Sequence, residues 1–127
     1  MSDKVIYEYA VIRLVPQVER EEFMNIGVIL FSKRKKYLGI KYHVNKSRVA
    51  SFSDKVDIDS ITNYLKGWEL VCKGGTQGGK IGQLEMPVRF RWLTASRSTI
   101  IQSSKVHPGR CEHPEKVLEE LFEKYVL

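Results

Sequence analysis

The sequence predicts an α+β fold: a mostly antiparallel sheet that opens with a three-stranded meander, with helices packed on one face. Two patterns lead there. The first 42 residues alternate apolar side chains in the two-residue period of strands, and residues 57–72 change to a period of three and four. The strand-like segments are joined by short connections, which suit antiparallel neighbours and leave no room for a crossover helix.

In "KVIYEYAVIRLV", Ile6, Ala10, Ile12 and Leu14 alternate with Tyr7, Tyr9, Val11 and Arg13. Both sides are largely apolar, as in a central strand covered on both faces. Pro16 ends it, because proline has no N–H for the ladder. "FMNIGVILFS" is the second strand, with Met24, Ile26, Val28 and Leu30 on one face and Phe23, Asn25, Gly27, Ile29 and Phe31 on the other. "YLGIKYHV" is the third. The run Lys33–Lys36 between them reads as a solvated hairpin turn protecting a sheet edge.

In "DIDSITNYLKGWELVC", Ile58, Ile61, Leu65, Trp68 and Cys72 form one helical stripe, capped by Asp57 or Asp59 and ended by Gly74. "MPVRFRWLTA" fits either a strand or a short helix; as a strand it sends Phe90 and Trp92 to the core and Arg89 and Arg91 outward. A β-branched stretch, "STIIQSS", follows. Pro114 then opens a last helix that buries Val117, Leu121, Phe122 and Tyr125, with His113 at its cap.

At 127 residues the chain is expected to be a single domain over 1–127, since halves would be too small for a core. No apolar run approaches the roughly 20 residues of a membrane span, and "MSDKVIYEYAVIRL" has no secretory-signal pattern, so the cytoplasm is the expected compartment. Cys72 and Cys111 lie outside any Cys-x-x-Cys pair or metal-ligand spacing, so neither a disulfide nor a zinc site is expected. The net charge of +6 is concentrated early: residues 1–50 carry ten basic and five acidic groups. That permits an anionic partner without demanding one.

"KGGTQGGKIG" places Gly74, Gly79 and Lys80 at the spacing of a phosphate-binding loop. Such a loop needs a strand leading in and a hydroxyl after the lysine. Here a helix leads in and Ile81 follows Lys80, so no nucleotide and no cofactor is expected. Segment 74–82, with five glycines, is instead a connector or a lid.

Two stretches concentrate polar chemistry. Arg13 interrupts an apolar strand and requires partners if buried, with Glu8, Glu21 and Glu22 in reach by sequence; Asn25 and Gly27 interrupt the strand beside it. Further on, Arg89, Arg91, Arg97, Ser98, Gln102, Ser104 and His107 crowd into 19 residues. Guanidinium forks suit phosphate or carboxylate, and His107 can serve as acid or base or simply as a turn residue.

These stretches, "YEYAVIRLVPQVEREEFMNIGVILF" and "RFRWLTASRSTIIQSSKVHPG", resemble the bacterial family known as domain of unknown function 3037. The matching positions are Arg13 and Pro16; Glu22, Phe23, Asn25, Gly27 and Val28; Arg89, Phe90, Trp92 and Leu93; Arg97, Ser98 and Thr99; His107 and Gly109. Where the family pattern leads one to expect a glycine or small residue beside the glutamate, this chain has Glu21. The resemblance implies a bacterial domain of no established activity, and a genomic habit of neighbouring kinases similar to the HipA toxin class.

The leading expectation is therefore a non-enzymatic binding or accessory module. In it Arg13, Glu22, Asn25, Arg91, Arg97, Ser98 and His107 converge on one cleft for a segment of a partner protein, such as the kinase-like neighbour, or for an anionic ligand. A nucleic-acid-binding protein is the alternative, resting on the charge and the "KRKK" turn. A phosphate-ester enzyme is the third, with His107 as acid/base, Arg91 and Arg97 on the phosphate and Glu22 as a metal ligand.

Overall fold

Strand β1 (Val5–Leu14) is the axis of the sheet. On one side it pairs antiparallel with β2 (Met24–Ser32), which pairs with β3 (Tyr37–Tyr42), so the expected meander forms. On its other side it pairs with two short strands, β4 (Ile101–Ser103) and β5 (His107–Cys111). Between the sheet halves the chain builds α1 (Lys46–Phe52), α2 (Ile58–Lys73), a single turn α3 (Gly79–Gly82) and α4 (Met86–Leu93), and it closes with α5 (Pro114–Tyr125). The computed structural model describes residues 3–127.

The fold is α+β, as expected, but its helices do not share one face. Ala10, Ile12, Leu14, Ile29 and Phe31 pack with Ile61, Leu65 and Trp68 of α2 and with Phe90 and Leu93 of α4. On the opposite face Val28 and Leu30 pack with Leu118 and Phe122 of α5. A sheet apolar on both sides needs cover on both, and the two-sided pattern of β1 already required it.

The facing assigned to the second strand also changes midway. The β1–β2 register runs from Glu8↔Phe31 to Ile12↔Gly27 and then jumps to Arg13↔Asn25, so Ile26 is an extra residue. The bulge returns Ile26 to the face of Ile29 and Phe31, and Asn25 faces α5, donating from Nδ2 to Tyr125 O at 3.2 Å. Gly27 sits where strands crowd: a Cβ there would lie 2.9 Å from Lys41 O. A second bulge interrupts the other side of β1, between Ile12↔Ser103 and Tyr9↔His107. There the Ser104 hydroxyl accepts from Val11 N–H at 2.8 Å, taking the place of a ladder carbonyl. His107 therefore begins a strand rather than a turn, and Pro108 lies within that edge strand opposite Glu8.

The ambiguous "MPVRFRWL" is helix α4, with Pro87 in its first turn. Period three and four then sorts it: Phe90 and Leu93 are fully buried, Arg89 is buried beside them, and Trp92 turns outward. The strand alternative had inverted Arg89 and Trp92. Asp57 caps α2, its Oδ1 accepting from Asp59 N–H, while His113 stands at the α5 cap position without a side-chain cap bond. In α5 the buried residues are Pro114, Leu118 and Phe122; Val117, Leu121 and Tyr125 are only partly covered.

Buried Arg89 joins these helices. Its Nη1 donates to Val71 O and Cys72 O, both at 2.8 Å, and its Nε donates to Leu84 O at 3.0 Å. A full positive charge thus meets the carbonyl end of α2, where the helix dipole is negative and the last C=O groups lack helical partners. Gly74 ends α2 with φ 81, and a Cβ on it would lie 3.0 Å from the guanidinium. The glycine segment beyond folds into a closed loop: Gly75 N–H donates to Gly82 O at 2.7 Å.

Replacing Arg89 with Met should cost about 2–4 kcal/mol in urea unfolding, because the two buried carbonyls of Val71 and Cys72 and the partly covered one of Leu84 lose their donor; Arg89→Lys should recover only part, its ammonium lacking the fork. High pH gives a second check. Burial pushes the Cys72 thiol from 9.0 up to about 12, against the pull of Arg89. Burial and the Tyr125 hydroxyl raise Tyr9 from 10.0 to about 12. Both are acids whose neutral forms the fold favours, so stability is whole below 9.0 and falls as pH rises toward about 12. Cys72→Ala should flatten that decline in pH-dependent denaturation curves.

Candidate functional site

The residues expected to converge are divided between the faces of the sheet. Arg13 lies in register with Asn25 on β2 and Gln102 on β4, and its guanidinium sits 4.1 Å from the centre of the Phe23 ring. Ser98 joins Arg13, Phe23 and Gln102 around a pocket of about 290 Å³. Neither Arg13 Nε nor Asn25 Oδ1, both buried, has a hydrogen-bond partner among the described residues. Of the carboxylates expected for Arg13, Glu8 faces the opposite side of β1 and Glu22 pairs with Arg20; Glu21 lines the same pocket as Arg13 without an ion pair to it.

Arg97 folds back on α4 instead. Its guanidinium lies 4.4 Å from the Trp92 ring centre and donates to Trp92 O and Leu93 O, so it closes the C-terminal end of that helix. His107 is paired with Tyr9, the two rings 5.4 Å apart, and lines none of the pockets that hold Arg13, Glu22 or Arg91. Glu22 borders a separate groove near Phe52 and Asp54. Arg13, Asn25 and Ser98 are brought together; Glu22, Arg91, Arg97 and His107 are not. Among the described residues no group of three or more His, Cys, Asp or Glu side chains is placed to hold a metal ion. No helix of these residues is long and apolar enough to cross a membrane.

Arg91 belongs to a larger cleft of about 530 Å³, between α4 and the end of the sheet where β1 starts. Pro87 and Arg91 supply one wall by helix spacing, and Ile6 and Arg110, partners across β1–β5, supply the other. The β2–β3 turn brings Lys33 and Arg34 to the rim, and Lys4 completes a set of five cations against one carboxylate, Glu8. None of the ion pairs or side-chain hydrogen bonds found among the described residues involves Lys33, Arg34, Arg91 or Arg110. Tyr7 and Phe31 give the cleft an apolar component. Arg110 is not legible as a site residue without the strand at 107–111; the turn lysines were expected as a solvated edge or, alternatively, as a nucleic-acid contact.

The loop leading to Phe23 explains Glu21. After the 3₁₀ turn Val18–Arg20, Glu21 adopts φ 57 and ψ 18, the left-handed region where a side chain is strained. A glycine is at home there, which accounts for the small residue the sequence pattern led one to expect. Glu21→Gly should accordingly raise stability by about 0.5–1 kcal/mol in chemical denaturation, strain relief being partly offset by glycine's entropy.

No curated protein and no solved structure matches the chain. Residues 9–126, nearly its whole length, match the family described as "Protein of unknown function (DUF3037)", and the chain belongs to that family.

Proposed function

We propose that this domain is a binding module for an acidic segment of a partner protein, received in the cleft formed by Lys33, Arg34, Arg91 and Arg110. One observation carries the reading: these cations share a concave surface with a single carboxylate, Glu8, and none of the four forms an ion pair among the described residues. Concave placement focuses the positive potential and raises the local concentration of anionic groups. Arginine adds planar forks that hold carboxylates in pairs. The kinase-like neighbour implied by the family resemblance is one protein in which to look for such a segment. The dispersal of Glu22, Arg91, Arg97 and His107 weighs against the phosphate-ester reading, which required them in one place.

The expected outcome is measurable with a fluorescent polyglutamate peptide and anisotropy. Arg91→Ala/Arg110→Ala should weaken binding at least about tenfold, the sum of two modest charge contacts in a partly enclosed site. Arg13→Ala, on the other face, should leave it unchanged. Equal binding by all three proteins would remove the cleft from consideration.

A further inference from the structure

We propose that the segment received by this cleft is an amphipathic helix, whose apolar side rests on the outer face of α4 while its acidic side reaches Arg91 and Arg110. The inference rests on the acidic-segment reading above and adds a second, apolar half to the site. Its basis is a set of exposed apolar residues. Leu84, just before α4, and Val88 and Trp92 within it recur every four residues and are 43%, 47% and 42% exposed. Val88 and Trp92, four apart in α4, lie on one side of that helix, with Arg91 between the rows of Pro87 and Val88, and Leu84 adds exposed apolar surface in the bend just before it. The row therefore borders the cleft. Across the cleft Ile6 is 59% exposed, so apolar surface stands on both sides of the cationic strip.

Single exposed apolar residues are ordinary. Here Val88 and Trp92 share one side of a helix, beside cations that form no ion pair, and the other face of that helix holds Phe90 and Leu93 at 0% exposure. Trp92 is moreover held in place by Arg97, stacked 4.4 Å from its ring centre, so it loses little freedom on contact. Charge complementarity selects the occupant. Arg91 and Arg97 flank the row, so the side of the incoming helix next to its apolar stripe must be acidic. An eight-residue helix is about 12 Å long, enough to seat two to three turns of a partner. A nucleic acid would satisfy the arginines but gain nothing from Leu84 and Val88.

The test uses the full chain and two designed peptides of about four helical turns. Both carry glutamates on one side. One has leucines along the adjoining stripe, and in the other serines replace them. Anisotropy should show the leucine peptide binding at least about tenfold tighter, a gain that Leu84→Ser/Val88→Ser abolishes while serine-peptide affinity stays the same. Circular dichroism of that double variant should remain native, since both positions are exposed. Arg91→Ala/Arg110→Ala should weaken both peptides.

Equal affinities for the two peptides overturn the amphipathic inference and leave the acidic-segment reading standing. No binding of either peptide overturns both. A single-stranded oligonucleotide that binds tighter than the leucine peptide, indifferent to Leu84→Ser/Val88→Ser, overturns the inference in favour of nucleic acid. Light scattering that shows a dimer dissolved by Leu84→Ser/Val88→Ser overturns it in favour of a second copy of this chain.

Discussion

A single buried guanidinium holds the working face of the molecule in place. Arg89 ends α2 electrostatically, reaches back to the turn at Leu84, and is itself part of α4. Three segments of very different sequence are thereby tied at one point. Carbonyl oxygens suffice as acceptors because they are the unsatisfied end of a helix, so the charge is answered without a carboxylate in the core. The orientation of α4 follows. With Arg89, Phe90 and Leu93 directed inward, Arg91 and Trp92 have only the outside to face, and the cleft acquires its wall.

The sheet supplies the other wall through its irregularities. Each side of β1 carries one extra residue, at Ile26 on β2 and around Ser104 beyond β4. These bulges let Arg13 and Asn25 face α5's side while Ile26 still contributes to the main core. They also set the start of β5, which places Arg110 opposite Ile6 and so at the cleft. A plain ladder would have shifted that register by one and turned Arg110 to the other face.

The fold was readable where periodicity was long and uninterrupted. Ten residues of β1 and sixteen of α2 declare their period and their buried sides. Short elements were not: three residues of β4 and five of β5, one of them proline, contain too few repeats to register as strands. The facing of β2 failed at the bulge because an inserted residue leaves no mark in local sequence. In α4 alternation of arginine and aromatic residues imitates a strand, and only the partner carbonyls of Arg89 decide for the helix. The site was half legible for the same reason. Arg13 and Asn25 meet through the β1–β2 pairing, which could be foreseen, whereas Ser98 reaches them from the loop before β4 and the cleft gathers Arg34, Arg91 and Arg110 from a turn, a helix and an unforeseen strand.

Pro108 has a further consequence. It stands in the outermost strand on that side of the sheet, where it removes an N–H from the edge, and the bulge at Ser104 bends the same edge away from a straight ladder. An incoming backbone therefore finds an interrupted template there, and the molecule is guarded on that flank against the edge-to-edge strand addition that leads to fibrils.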